Sequence, residues 1–207
     1  MNSGYKISSS KTSPILEWIL DKNNRDKHIT EIPEHNGVAV VKDNLQIPSV
    51  AMYEDGFPYK DLYDISKEIL SFYQLPDSIR IEPNYGYMLC YSENGHWVHE
   101  HNDPNFYYEG PDESLIENKP DGYLNEVIHT RFNLLISKPT KGGNPVICNQ
   151  EYDVEENEVW RCLAGFDKHC TTKVEGSKPR IILSFGFFVP TEIAIKNSWY
   201  KPNNTEQ

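Results

Sequence analysis

Residues Arg180–Val189 read "RIILSFGFFV", an unbroken apolar run of strand length that opens on a cation. β-Branched and aromatic residues dominate it, the turn "EGSKP" precedes it and Pro190 follows it, so the run predicts a buried β-strand. An arginine at the head of a buried strand needs an anionic partner, because an unpaired charge out of water is costly. Working outward, "GVAVVK" (37–42), "GYMLCYS" (86–92), "TRFNLLIS" (130–137) and "VWRCLAG" (159–165) also read as strands, set apart by Pro, Gly, Asn and Asp clusters. No helical period lies between the strands from residue 86 onward, which predicts antiparallel pairing in a β-sandwich or barrel of jelly-roll type.

Two helices are predicted upstream. In "SPILEWILDKN", Ser13 is placed to cap and Pro14 to occupy the first helical position, with Ile15, Leu16, Ile19 and Leu20 as the apolar face. In "YKDLYDISKEILSFY", Leu62, Ile65, Ile69 and Phe72 recur at three- and four-residue spacing and form one stripe. At 207 residues the chain is expected to be one mainly β domain: a supporting helical part over about 1–80, a jelly-roll core over about 86–190 and a short tail.

Composition narrows the partners. A net charge of -11 and a pI near 5.1 argue against general attraction to phosphate backbones. The opening "MNSGYKISSSKTS" has no apolar h-region and no run has the length of a membrane span, so a cytoplasmic protein without a membrane partner is expected. Cys90, Cys148, Cys162 and Cys170 form no CxxC pair, which suggests neither a zinc ribbon nor a disulfide framework and points to small buried residues.

"HWVHEHNDPN", His96 to Asn105, concentrates three of the seven histidines. If it is a strand, His101 and Asp103 face one side and suit two ligands of one metal. The pair alone is a weak signal, since seven histidines and 12 aspartates give about 0.4 such matches by chance. Downstream, His169 precedes a Gly-containing turn, and Arg180 lies 11 residues beyond it. Two imidazoles, one carboxylate and a nearby arginine are what a two-histidine, one-carboxylate iron site with a carboxylate-binding arginine requires. A zinc site using His99 in an HxH pair with His101 is the competing ligand set. Between strands, residues 104–128 form a long acidic loop with Glu109, Asp112, Glu113, Glu117, Asp121 and Glu126 against Lys119 alone, expected to act as a lid.

In "MLCYSENGHWVHEHNDPN" and "KGGNPVICNQEYDVEENEVWRCLAGFDKHCTTKVEGSKPRIILSFGF", over about residues 86–190, the chain resembles the Fe(II)/2-oxoglutarate-dependent dioxygenases, most closely those of prolyl 4-hydroxylase type. The resemblance rests on the order strand tyrosine, Gly turn, HxD, Gly-Gly turn, histidine, "V.G" turn and arginine. It implies a double-stranded β-helix in which His101, Asp103 and His169 are catalytic and bind Fe(II), while Arg180 pairs with the distal carboxylate of 2-oxoglutarate. It suggests Tyr91 and Arg131 as further cofactor contacts and Asn133, His99 and Trp97 as substrate contacts. The implied reaction hydroxylates an unactivated C–H bond of an amino-acid side chain, peptidyl or free, using O2 and 2-oxoglutarate, with ascorbate as a reductant and succinate and CO2 as products. "TRFN" and the acidic insert depart from the pattern of prolyl hydroxylases and leave the substrate open. An oxidative nucleic-acid demethylase is disfavoured by the acidic charge, and a non-catalytic cupin-like module by the complete set of motifs.

Overall fold

The computed structural model describes residues 4–27, 44–48, 56–82, 86–103 and 127–201. The expected strand 37–42 and nearly all of the expected lid, residues 104–126, lie outside them. In chain order the elements are β1 (Tyr5–Lys6), α1 (Ser9–Leu20), α2 (Lys22–Lys27), β2 (Asn44–Pro48), α3 (Tyr59–Phe72), β3 (Arg80–Ile81), β4 (Tyr87–Ser92), β5 (Val127–Ser137), β6 (Pro145–Ile147), β7 (Gln150–Glu151), β8 (Glu158–Cys162), β9 (His169–Thr171), β10 (Arg180–Pro190) and α4 (Thr191–Lys196). The fold is mainly β and antiparallel. Its large sheet runs β1-β8-β5-β10-β4-β2 with β3 also on β10, and the small sheet runs β7-β6-β9.

β10 is the axis of the large sheet, pairing along its length with β5 on one side and β4 on the other. Both of its faces are covered, which is why its sequence is a continuous apolar run instead of an alternating one. Ile181, Leu183, Phe185, Phe187 and Val189 join Leu89, Phe132 and Leu134 in a core with Ile15 and Ile19 of α1 and Leu62, Ile65 and Ile69 of α3. The alternate residue Ile182 faces the other way and packs with Leu135, Trp160, Cys162 and Ala164 against Ile147 and Val154. Each such side chain contributes about 1.5–3 kcal/mol on burial. Helices thus back one face of the large sheet, and the small sheet covers the other.

Three local expectations are corrected. α1 starts at Ser9, so Ser13 and Pro14 sit inside it. The Thr12 and Ser13 hydroxyls donate to the Ser9 carbonyl, and Thr12 also reaches Asn157, so local and tertiary bonds extend the helix upstream of its proline. Phe72 is 44% exposed and leaves the buried stripe of α3, stacking instead on Tyr5 at 3.8 Å. β5 begins at Val127, two residues inside the expected loop. Of the four cysteines, all free, only Cys162 is fully buried and Cys148 is exposed. Among the described residues no helix is long and apolar enough to cross a membrane.

Candidate metal centre

His101, Asp103 and His169 converge: one ligand atom from each lies within 4.8 Å of the others. The means differ from the expected strand alternation, because only an isolated antiparallel bridge joins His101 to His169, and Asp103 lies beyond it in irregular chain. The His101 amide donates to the His169 carbonyl at 3.0 Å and the His169 amide donates back at 2.9 Å. The Asp103 amide donates to the Ala164 carbonyl at 2.8 Å, which fixes the carboxylate beside both rings. Asp103 Oδ1 stands 3.4 Å from His101 Nε2 and 3.9 Å from His169 Nε2.

Each ring is oriented from behind. His101 Nδ1 lies 2.8 Å from the His99 carbonyl, and His169 Nδ1 lies 2.8 Å from the Asp167 carbonyl. A carbonyl only accepts, so each Nδ1 carries the proton and each Nε2 keeps its lone pair toward the shared centre. Burial pulls the His169 imidazole below its ordinary value, reinforced by neighbouring His101, and favours the neutral form that a metal needs. For His101, burial acts the same way but is outweighed by the Asp103 carboxylate, so its value rises. Burial would raise the Asp103 carboxyl; His101, Arg131, His129 and His169 outweigh it and hold the group far below the usual carboxylate range. Two oriented imidazoles and one ionised carboxylate are a donor set that fits Fe(II).

Arg180 opens β10 opposite Ser92 of β4 and is 4% exposed. Among the described residues its buried Nε has no hydrogen-bond partner, and burial lowers its guanidinium to about 10. A buried cation with an orphaned donor fits a small carboxylate ligand. The glycine turn is built around this arginine: Gly143 has φ +69°, and a Cβ there would meet Arg180 Cδ at 2.8 Å.

The remaining expected residues divide by strand parity. On β5, Arg131 points to the centre, its Nε donating to Asp103 Oδ2 at 2.6 Å, and half-buried Asn133 shares that face opposite Ser184 and Trp160. Tyr91 is not brought to the site. It belongs to the helix-side core, donates to Glu93 at 2.9 Å and lies under the Arg25 guanidinium, while its neighbour Cys90 packs on the site face. His99 stays outside the ligand cluster and packs edge-on to Trp97 at 5.2 Å, its buried Nε2 without a hydrogen bond among the described residues. His96, the first histidine of the cluster, is buried with Nδ1 accepting from the Glu93 amide at 2.9 Å. Two residues were missed. His129 Nδ1 lies 3.8 Å from Asp103 Oδ2, and Glu82 Oε2 lies 3.8 Å from Arg131 Nη2. The alternation His129, Arg131, Asn133 along one strand face was the available signal for the first.

With this geometry, the chain superposes on solved structures despite little sequence identity. A viral collagen prolyl hydroxylase from Paramecium bursaria Chlorella virus 1, in its 2OG complex, matches at a TM-score of 0.53 and 11% identity over 91% of this chain and 94% of that one. A Pseudomonas putida prolyl-4-hydroxylase matches at 0.55 and 12% over 91% of each. The chain has the fold of these prolyl hydroxylases. No protein-family model matches the sequence, and no curated protein matches it either. Within this fold the small sheet supplies His169 on β9 to the bridge with His101, and β5 supplies Arg131, opposite Gly186 of β10, to Asp103.

Proposed function

We propose that this chain is a non-haem Fe(II)- and 2-oxoglutarate-dependent dioxygenase that hydroxylates an amino-acid side chain, peptidyl or free. The observation that carries the reading is the pairing of the convergent His101, Asp103 and His169 donors with a buried Arg180 whose Nε has no partner among the described residues. In it, His101 Nε2, Asp103 Oδ1 and His169 Nε2 hold Fe(II), and the Arg180 fork takes the distal carboxylate of 2-oxoglutarate through two parallel hydrogen bonds. Fe(II), with 2-oxoglutarate and O2, supplies the oxidising power for C–H hydroxylation while the co-substrate becomes succinate and CO2. The protein's part is placement: the histidine carbonyl partners fix ring orientation, and the apolar Leu135, Ile182 and Trp160 wall off bulk water.

Asn133, His99 and Trp97 are assigned to the substrate side, and an amino-acid or peptide substrate is supported by the fold shared with the two prolyl hydroxylases. The whole chain is taken as one domain because α1, α3 and the large sheet share one core. Four free cysteines support a reducing, cytoplasmic setting. The test is Fe(II)-dependent succinate formation by protein purified without chelator, assayed with proline, lysine, arginine and aspartate or asparagine donors, free and within peptides. One donor class that raises succinate and gains 16 mass units, the mass of one oxygen atom, identifies the substrate. Absence of iron-dependent succinate with every donor contradicts the assignment.

A further inference from the structure

Asp103 has two oxygens, and the structure gives them different work. Oδ1 faces both histidine Nε2 atoms, at 3.4 and 3.9 Å, whereas Oδ2 accepts from Arg131 Nε at 2.6 Å. Arg131 is itself held: its Nη1 donates to Ser184 Oγ at 3.3 Å and its Nη2 lies 3.8 Å from Glu82. Gly186, the residue paired with Arg131 across β5 and β10, leaves the space, since a Cβ there would stand 3.2 Å from Nη1. Arg131 is 8% exposed, so turning Oδ2 away would take from a buried guanidinium the carboxylate oxygen that stands 2.6 Å from its Nε, a costly change.

Resting on the iron reading above, we propose that Arg131 is a positioning residue that keeps Asp103 a one-oxygen ligand, instead of a contact to the co-substrate. With Oδ2 occupied, the carboxylate offers the metal Oδ1 alone. A metal held there would take three donors from the protein instead of four, which would leave room for a chelating co-substrate. The arginine does this through a directed N–H, not through charge.

Arg131→Lys separates the two. Lysine retains the positive charge that an incoming cation feels but loses the fixed Nε–H. Wild type and variant are titrated with Mn(II), and 2-oxoglutarate is then titrated at saturating Mn(II). Infrared difference spectra of aspartate-labelled protein on Mn(II) loading read the carboxylate mode, because a one-oxygen ligand separates its two stretching bands more widely than a two-oxygen ligand. The expected result is wide separation in wild type, narrowing in Arg131→Lys, Mn(II) affinity lower by about 10- to 100-fold, as outer-sphere partners typically cost, and unchanged 2-oxoglutarate affinity. Unchanged Mn(II) affinity and band separation in the folded variant, or loss of 2-oxoglutarate affinity alone, would overturn it. Should the variant not fold, the wild-type spectrum decides: a narrow, two-oxygen separation overturns the proposal. Failure of wild type to bind Mn(II) or Fe(II) at all would instead remove the iron reading and this inference with it.

Discussion

Arg180 is charged, nearly inaccessible and, among the described residues, short of a partner at Nε, so its role is tested by changing its shape and not its charge. Arg180→Lys keeps the cation but loses two parallel hydrogen bonds, and each charge-assisted bond is worth about 1.5–3 kcal/mol. The expected outcome is a weaker 2-oxoglutarate dissociation constant by about ten-fold or more, with Mn(II) affinity unchanged, measured by separate calorimetric titrations. Equal affinity for 2-oxoglutarate would make Arg180 a structural cation. At the metal the opposite pattern holds: Asp103→Ala or His169→Ala should abolish tight Mn(II) binding. The candidate donors His101, Asp103 and His169, which converge, and Arg180, which is buried, could be picked out because their order along the chain is restrictive. Tyr91 was misplaced because a tyrosine on a buried strand reads alike on either face, and only packing against Arg25 and the helices fixes its side.

At the scale of elements, β1, α1 and α3 are tied by one carboxylate. Glu68 of α3 accepts from Tyr5 Oη at 2.7 Å and from the Lys11 ammonium. Burial would raise its carboxyl, but those two bonds outweigh it and the folded value is lowered. A lowered folded value means that the group stabilises fully above its unfolded value of about 4.3, and that this contribution fades as pH falls through the folded value. Glu68→Gln should therefore give a shallower loss of stability between about pH 4.3 and lower pH, checked by urea unfolding across that range; an identical slope would show that the tie contributes nothing. The glycine turn offers a second test. Gly143→Ala forces a Cβ against Arg180 Cδ at positive φ and should weaken 2-oxoglutarate binding more than Mn(II) binding, read by the same titrations. Long elements such as α3, β5 and β10 announced themselves through periodicity or length. β6, "PVI", and β9, "HCT", are three residues each, too short for any period, and β2 ends on Pro48, which reads as a loop.

For the whole molecule, the fold came through from the sequence as short antiparallel strands behind two helices, while the pairing that assembles the site did not. The bridge that unites His101 with His169 joins segments far apart in the chain, and nothing local encodes it. Since the site draws on irregular chain at Asp103, β5, β9 and β10, ligand binding should stabilise the entire fold. Mn(II) at 100 times its dissociation constant adds about 2.7 kcal/mol, or about 5–10 °C in Tm for a chain of this size. Differential scanning fluorimetry with and without EDTA checks it, and a Tm indifferent to metal would place the ion outside the core architecture. Anaerobic addition of 2-oxoglutarate to the Fe(II)-loaded protein decides whether the triad and Arg180 form one iron and 2-oxoglutarate site. A visible charge-transfer band should appear, saturate at one 2-oxoglutarate per chain and be absent in His169→Ala; iron that binds tightly in wild type yet gives no band and no heat with 2-oxoglutarate would show that the two do not share a site.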